Sequence, residues 1–228
     1  MIMKQLILLF TLITLPSMAQ EKLHSVVSVS GEGIVKVIPD QVTLNLTIEN
    51  TGENLLQVKS INDSSVDAVI KQLKNSGIAE KDIQTRRVDM GKSYDYNTKQ
   101  YQYRATQSIT VLLRQLDKYE SLVSSLLTHG LNRIDGIQFG SSKMESLLEE
   151  ARVKAMANAK LKAEQYAGAL GQKIGKAIQI QEPGQHVNPP VLRMAKMEMA
   201  AYDSGGQETL AAGEMEISTS VIVIFELQ

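Results

Sequence analysis

Gln41-Val42-Thr43-Leu44-Asn45-Leu46-Thr47-Ile48-Glu49 decides the fold class: apolar side chains at every second position, with polar ones between, call for a strand with one face buried and the other wet. A helical period would scatter Val42, Leu44, Leu46 and Ile48 around an axis instead of lining them up. Upstream, Pro39-Asp40 makes a turn. Before it, Val27, Val29, Val35 and Val37 share one strand parity with Gly31 and Gly33, where a side chain would otherwise stand. Glycines there predict either close approach of another backbone or a bulge.

Downstream, the period changes to about 3.6. The spacing predicts a helix from about Glu53 to Ser76, with Val58, Ile61, Val69, Ile70 and Leu73 inside and Gly77 as its stop. Strands are expected near Ile83 to Tyr96 and Tyr101 to Leu113, joined through Asn97-Thr98-Lys99-Gln100. Asp117 and Glu120 read as the start of a second helix carrying Leu122, Val123, Leu126 and Leu127 to Gly130, and a short strand surrounds Ile137 and Phe139. Ser142 and Glu145 read as a capping box for a long helix to Leu170, followed by Gly171. Strands at Ile178–Ile180 and Ile217–Leu227 close an α+β or α/β chain. Residues 183–209, with Pro183-Gly184, Pro189-Pro190 and Ser204-Gly205-Gly206 around a Met-rich centre, are expected to form a mobile loop. Leu73-x-x-x-Gly77-Ile78 and Leu126-x-x-x-Gly130-Leu131 echo each other, through either a duplicated strand-helix-strand unit or shared helix-stop chemistry.

Composition excludes several functions. The 228 residues are 43% hydrophobic and 21% charged, which is globular. With 24 Lys+Arg against 25 Asp+Glu, no basic excess points to nucleic acid. The absence of Cys removes disulfides, thiolate metal sites and cysteine nucleophiles, and with no Trp, 7 Tyr and 3 Phe an aromatic-lined cleft is not expected. Residues 1–19 read as a cleaved secretory signal: Lys4, an apolar run from Leu6 to Leu15, and small Ser17 and Ala19 before Gln20. Residues 20–228 then form one domain, with no later run long enough to span a bilayer as a helix.

Catalytic constellations are scarce. His24, His129 and His186 lie too far apart for a helical zinc motif, Ser141-Ser142 lacks a nucleophile-elbow frame, and Glu149-Glu150 reads as the wet face of the long helix. Gly31-Glu32-Gly33 lacks the third glycine and the following helix of a dinucleotide fingerprint. No catalytic residue and no cofactor is expected. Two features have a functional reading. Tyr94, Tyr96, Tyr101 and Tyr103 alternate on the two arms of one hairpin, either packing on the protein's own body or offering a subunit or partner contact; a hairpin reaching beyond its sheet would leave two long edges bare. Met194, Met197 and Met199, with His186 nearby, are the alternative, a Cu(I) site on a loop that otherwise is merely adaptable.

Three separated motifs resemble the SIMPL-domain family, which includes bacterial periplasmic immunogenic proteins. Val29-Ser30-Gly31-Glu32-Gly33-Ile34-Val35 with Pro39-Asp40-Gln41 is similar to the family's first two strands. Ala151-Arg152, Ala155, Ala159, Lys162-Ala163-Glu164, Ala167 and Leu170-Gly171 look like its alanine-rich helix, and Gly213 to Ile217 with Val221 to Phe225 its final strand. Ala151, Ala155, Ala159, Ala163 and Ala167 recur every fourth residue, a stripe of small side chains along which a helix can approach a sheet closely. Asp40 resembles the family's turn acid, and its own reading is a cap on the Pro39 turn. The resemblance implies an α+β fold of interleaved strand-helix-strand units, antiparallel hairpins and a long helix packed on sheet. It also implies a periplasmic setting, with outer-membrane association in view, large oligomers in some members, and a link to oxidative or envelope stress. The function expected is non-enzymatic, through homo-oligomeric assembly or contact with an envelope protein; the alternative is an extracytoplasmic metal-binding protein or an uncharacterised enzyme.

Overall fold

The structure, a computed structural model, describes residues 25–96, 99–188 (184–188 by backbone alone) and 210–228. The chain is α+β, with three α-helices and seven strands in two antiparallel sheets among the described residues. Strand β1 (Val26–Val37) turns into β2 (Gln41–Gly52); helix α1 (Leu55–Asn75) follows, and a 3₁₀ turn at Glu80–Asp82 leads to β3 (Ile83–Asp95) and β4 (Gln100–Leu113). A second 3₁₀ turn at Leu116–Lys118 runs into α2 (Tyr119–Thr128), then come β5 (Arg133–Gly140), α3 (Met144–Ala169), β6 (Ile174–Asn188) and β7 (Met215–Leu227). The sheet orders are β1-β7-β6 and β3-β4-β2-β5.

These sheets carry separate cores. In the four-stranded one, Val42, Leu44, Leu46 and Ile48 of β2 are fully buried against Val66, Val69 and Leu73 of α1 and Leu122 and Leu126 of α2, joined by Ile109 and Val111 of β4. Each such side chain contributes roughly 1.5–3 kcal/mol of burial. Their neighbours Thr43, Asn45 and Glu49 lie on the opposite, wetter face, as the alternation requires. On α1, Asn62 rather than Ile61 turns inward: Ile61 is exposed, while the Asn62 amide donates to Asn50 Oδ1 at 2.9 Å. Leu127 of α2 likewise faces water.

The three-stranded sheet is covered by α3. Ala151, Ala155, Ala159, Ala163 and Ala167 are the buried residues of that helix, and they lie on Gly31 and Gly33. A Cβ on Gly31 would fall 2.0 Å from the Ala155 carbonyl oxygen, and one on Gly33 1.9 Å from that of Ala151. Close approach, not a bulge, is what the two glycines provide: β1 pairs with β7 in unbroken register from Val26↔Glu226 to Val37↔Met215. Farther across the sheet, Arg152 of α3 and Thr219 of β7 both donate to Glu182 Oε1 of β6 at 3.2 Å.

All three helices end alike. Gly77, Gly130 and Gly171 have φ of 85°, 101° and 70°, and the next residue's N–H reaches five residues back, Ile78 to Leu73, Leu131 to Leu126 and Gln172 to Ala167. The echo between the first two helix ends is therefore accounted for by this stop, which recurs at Gly171 outside any repeat. Helix starts depart further from expectation. α1 begins at Leu55 with Asn54 Oδ1 accepting from the Gln57 N–H at 3.1 Å. α2 continues directly from its 3₁₀ turn, and neither it nor α3 has a side-chain cap. Ser142 is not a cap because its hydroxyl and N–H both donate to Asp40. The expected loop also begins later: β6 passes through Pro183-Gly184 to Asn188, its register shifts absorbing the proline at the edge of the sheet. Residues 189–209, with Met194, Met197 and Met199, lie outside the described residues.

Candidate functional site

β3 is an edge strand, exposed from Gln84 to Lys92 without interruption. Residues paired across an antiparallel ladder project to the same face, so Val88↔Gln107, Met90↔Ala105, Lys92↔Tyr103 and Tyr94↔Tyr101 share the face on which Ala105 is buried. That is the helix-covered face of the sheet, yet α1 lies mainly over β2 and β4 and leaves β3 exposed from Gln84 to Lys92. Val88, Met90, Tyr94, Tyr96 and Tyr101 remain exposed there, Tyr96 at 84% and Tyr101 at 65%.

The tyrosines hold one another. Tyr94 meets Tyr96 edge-on with ring centroids 5.1 Å apart and Tyr101 at 5.0 Å, while the Lys92 ammonium stands 4.6 Å from the Tyr101 ring centre. Edge-to-face and cation–π contacts of this kind are worth roughly 0.5–1.5 kcal/mol each, so the rings favour one another's company over separate solvation. Tyr103 is half-buried and belongs to the base of the group. Sequence reasoning found these four and missed Val88 and Met90, although both continue the alternation of Tyr94 and Tyr96 back along β3. It also overstated the overhang: β2 flanks β4 as far as Gly52↔Tyr103, so the sheet supports the hairpin nearly to its tip and only the outer edge of β3 is open.

The edge of β1 is different. Three of its outward backbone groups are taken by α3: Lys162 Nζ donates to the Ser30 carbonyl at 2.8 Å, Lys154 Nζ to that of Ile34 at 3.4 Å, and the Glu32 N–H donates to Asn158 Oδ1 at 3.1 Å. Lys154, Asn158 and Lys162 each precede an alanine of the buried stripe. One helix thus packs its small residues on the strand and engages the middle of the strand's edge, from Ser30 to Ile34, with the neighbouring row.

Asp40 holds the halves together. The chain passes from one sheet to the other at β1→β2 and at β5→α3, and Asp40 at the first crossing accepts from the Ser142 N–H at 2.7 Å and from its hydroxyl at the second. The Asp40 N–H donates to the Gly140 carbonyl at 3.2 Å. The Ser142 hydroxyl, above all, holds the Asp40 carboxyl below its ordinary range. Its reach across 102 residues of sequence replaces the local turn cap expected of it. Asp135 of β5 is lowered likewise, first by the Thr47 hydroxyl and then by Arg133.

Among the described residues, no group of three or more His, Asp or Glu side chains is placed to hold a metal ion. His129 is engaged at the end of α2, its Nδ1 2.7 Å from the Ser125 carbonyl oxygen. His186 falls in β6 with its side chain outside the description, and His24 lies outside it altogether. Among the described residues no helix is long and apolar enough to cross a membrane.

The chain is 28% identical over 235 residues to the 26 kDa periplasmic immunogenic protein of Brucella abortus (strain S19), covering 97% of this chain and 94% of that one. It is 30% identical over 203 residues to the uncharacterized protein YggE of Escherichia coli (strain K12), covering 87% of this chain and 82% of that one. The family described as SIMPL, protein of unknown function (DUF541), matches residues 27–225, which span β1 to β7 and include the glycine pair, the Asp40 clasp and the alanine stripe, so this chain belongs to the SIMPL family.

Proposed function

We propose that this protein is a non-enzymatic component of the bacterial periplasm that works by contact between copies of its own chain, made through the β3 surface. One observation carries the reading: an edge strand exposed from Gln84 to Lys92, bearing an apolar and tyrosine-rich face that no element among the described residues covers. A 228-residue chain can bury a core unaided, so such a surface is not needed for folding. Left in water it is an association liability, and pairing relieves it. A second copy is the natural occupant because an antiparallel edge is complementary to itself about a two-fold axis. Tyr and Met suit such a contact, joining an apolar body to a polar tip or an adaptable stem.

The periplasmic setting draws support from the name of the Brucella relative and from residues 1–19, whose cleavage before Gln20 is read by N-terminal mass analysis. Envelope or oxidative stress is the physiological context that the family resemblance implies. Light scattering on wild type and on the Tyr96→Ser/Tyr101→Ser double variant tests the assembly. The expected result is an oligomeric wild type and a smaller species in the variant. A monomeric wild type overturns the assembly, and an unchanged oligomer in the variant overturns the role of the hairpin.

A further inference from the structure

Where α1 ends and β4 leads into α2, the surface opens into a cleft of about 420 Å³. A smaller cleft of about 270 Å³ adjoins it along α1 and α2, sharing Ser76, Ile78, Leu113 and Lys118. This is within the size range of small-molecule sites. Its floor is apolar, since Ile78 and Leu113 belong to the core beneath. Its rim is cationic, with Lys81, Arg114 and Lys118 against one carboxylate, Asp82.

That carboxylate is already committed. The Asp82 side chain is only 8% exposed, and Arg114 donates to it through Nε and Nη2, both at 2.8 Å. The bidentate pair cancels both charges and fixes the wall. Lys81 and Lys118 are left, and neither ammonium has a hydrogen-bond or ion-pair partner among the described residues. The helix dipoles nearly offset each other, because the C-terminus of α1 and the uncapped N-terminus of α2 both meet the cleft. Lys74 is paired with Glu80 and adds no net charge. The site therefore carries two lysines with no ion pair among the described residues, Lys81 lying within electrostatic reach of Asp82, beside an apolar floor.

We propose that this cleft binds a small organic anion of the short-chain carboxylate class, its carboxylate held by the Lys81 and Lys118 ammonium groups and its tail lying on Ile78 and Leu113. A metal ion does not suit it, because both Asp82 oxygens are engaged and the other charged side chains of the lining are cations. A sugar would find no aromatic ring among the lining residues. The site is independent of the β3 surface, so the failure of either leaves the other standing.

Titration of the full chain with hexanoate, followed by calorimetry, tests the assignment. Saturable one-site binding is expected, with hexylamine not binding. Lys81→Gln and Lys118→Gln should each weaken hexanoate roughly five- to tenfold, and the double variant should abolish binding, with melting temperatures unchanged because both lysines are exposed. Absence of saturable binding overturns the site, as does equal affinity in the double variant. Inorganic phosphate competing as well as hexanoate overturns the role of the apolar floor.

Discussion

Where α3 lies on its sheet, the helix presents alanines to the glycines and backbone of β1 and to Val29, Val221, Val223 and Phe225; where α1 and α2 join the core of β2 and β4, both sides are leucine, isoleucine and valine. The first packing sets a distance and the second fills a volume. A helix that comes close enough to put the Ala155 carbonyl where a Gly31 side chain would stand buries little apolar area per residue. It compensates with direct polar reach: Lys154, Asn158 and Lys162 arrive at the strand's edge because the axis is so near. The larger aliphatics of the other half hold their helices farther off, and there β3 goes uncovered. The sealed edge and the open edge are thus consequences of two packing modes.

The contrast is broken most severely by adding one carbon to the close-packed half. Gly33→Ala places a methyl 1.9 Å from a backbone carbonyl that has no side-chain freedom to yield, so α3 must lift. The expected loss in urea denaturation is at or above the roughly 3 kcal/mol upper end of ordinary overpacking. Gly91→Ala on exposed β3 meets nothing within 4 Å and should change stability by under about 0.5 kcal/mol. A small loss at Gly33 would show that the helix is free to slide.

The volume-filled half should fail in the opposite sense, by subtraction. Leu46 is fully buried between β2 and the two helices, and Leu46→Ala is expected to cost about 3 kcal/mol, from lost transfer energy and the cavity left behind. A loss below about 1 kcal/mol would mean that this core relaxes into the space, and the distinction between the two halves would fall.

Much of this division was legible. The alternation from Val42 to Ile48 gave the filled core, and the fourfold spacing of alanines with Gly31 and Gly33 gave the close one, because both depend on local periodicity. What periodicity cannot carry is a partner distant in sequence. Lys154, Asn158 and Lys162 read as ordinary polar positions on a helix, and their bonds to β1 exist only once the alanines beside them have docked. Ser142 looked like a helix cap since its spacing to Glu145 is right, but Asp40 competes for it from across the fold and wins. The Tyr hairpin was visible as composition; that α1 leaves Val88 and Met90 bare beside it follows from where the helix lies on the sheet, and no window along the chain records that.

The clasp between the halves should respond to acid. Asp40 has its carboxyl lowered by the Ser142 hydroxyl and N–H, so the native state favours the ionised form. Its contribution is fully present above the unfolded value near 3.9 and is lost as pH falls through the lower native value. For an exposed group screened by water, Asp40→Asn should cost about 1 kcal/mol or less at pH 7. The gap between wild type and Asp40→Asn should close as pH falls below the unfolded value and through the lower native one. A gap that persists there would assign the effect to shape and not to charge.

The smallest effect expected is at the sealed edge, and it discriminates best between sealing and mere proximity. Asn158→Ala removes the acceptor of the Glu32 N–H while leaving the alanine stripe intact. Both residues are partly or wholly exposed, so water replaces the lost bond and the stability cost should stay near or below 1 kcal/mol. Hydrogen exchange reads the local consequence that a melting curve would not resolve. The Glu32 amide should exchange faster in the variant, while the amides of Gly31 and Gly33, which alternate toward β7, keep their protection. If all three amides accelerate together, Asn158 is holding the helix on the strand; if none does, the edge of β1 is guarded by burial alone, and the open edge of β3 differs from it only in what lies above.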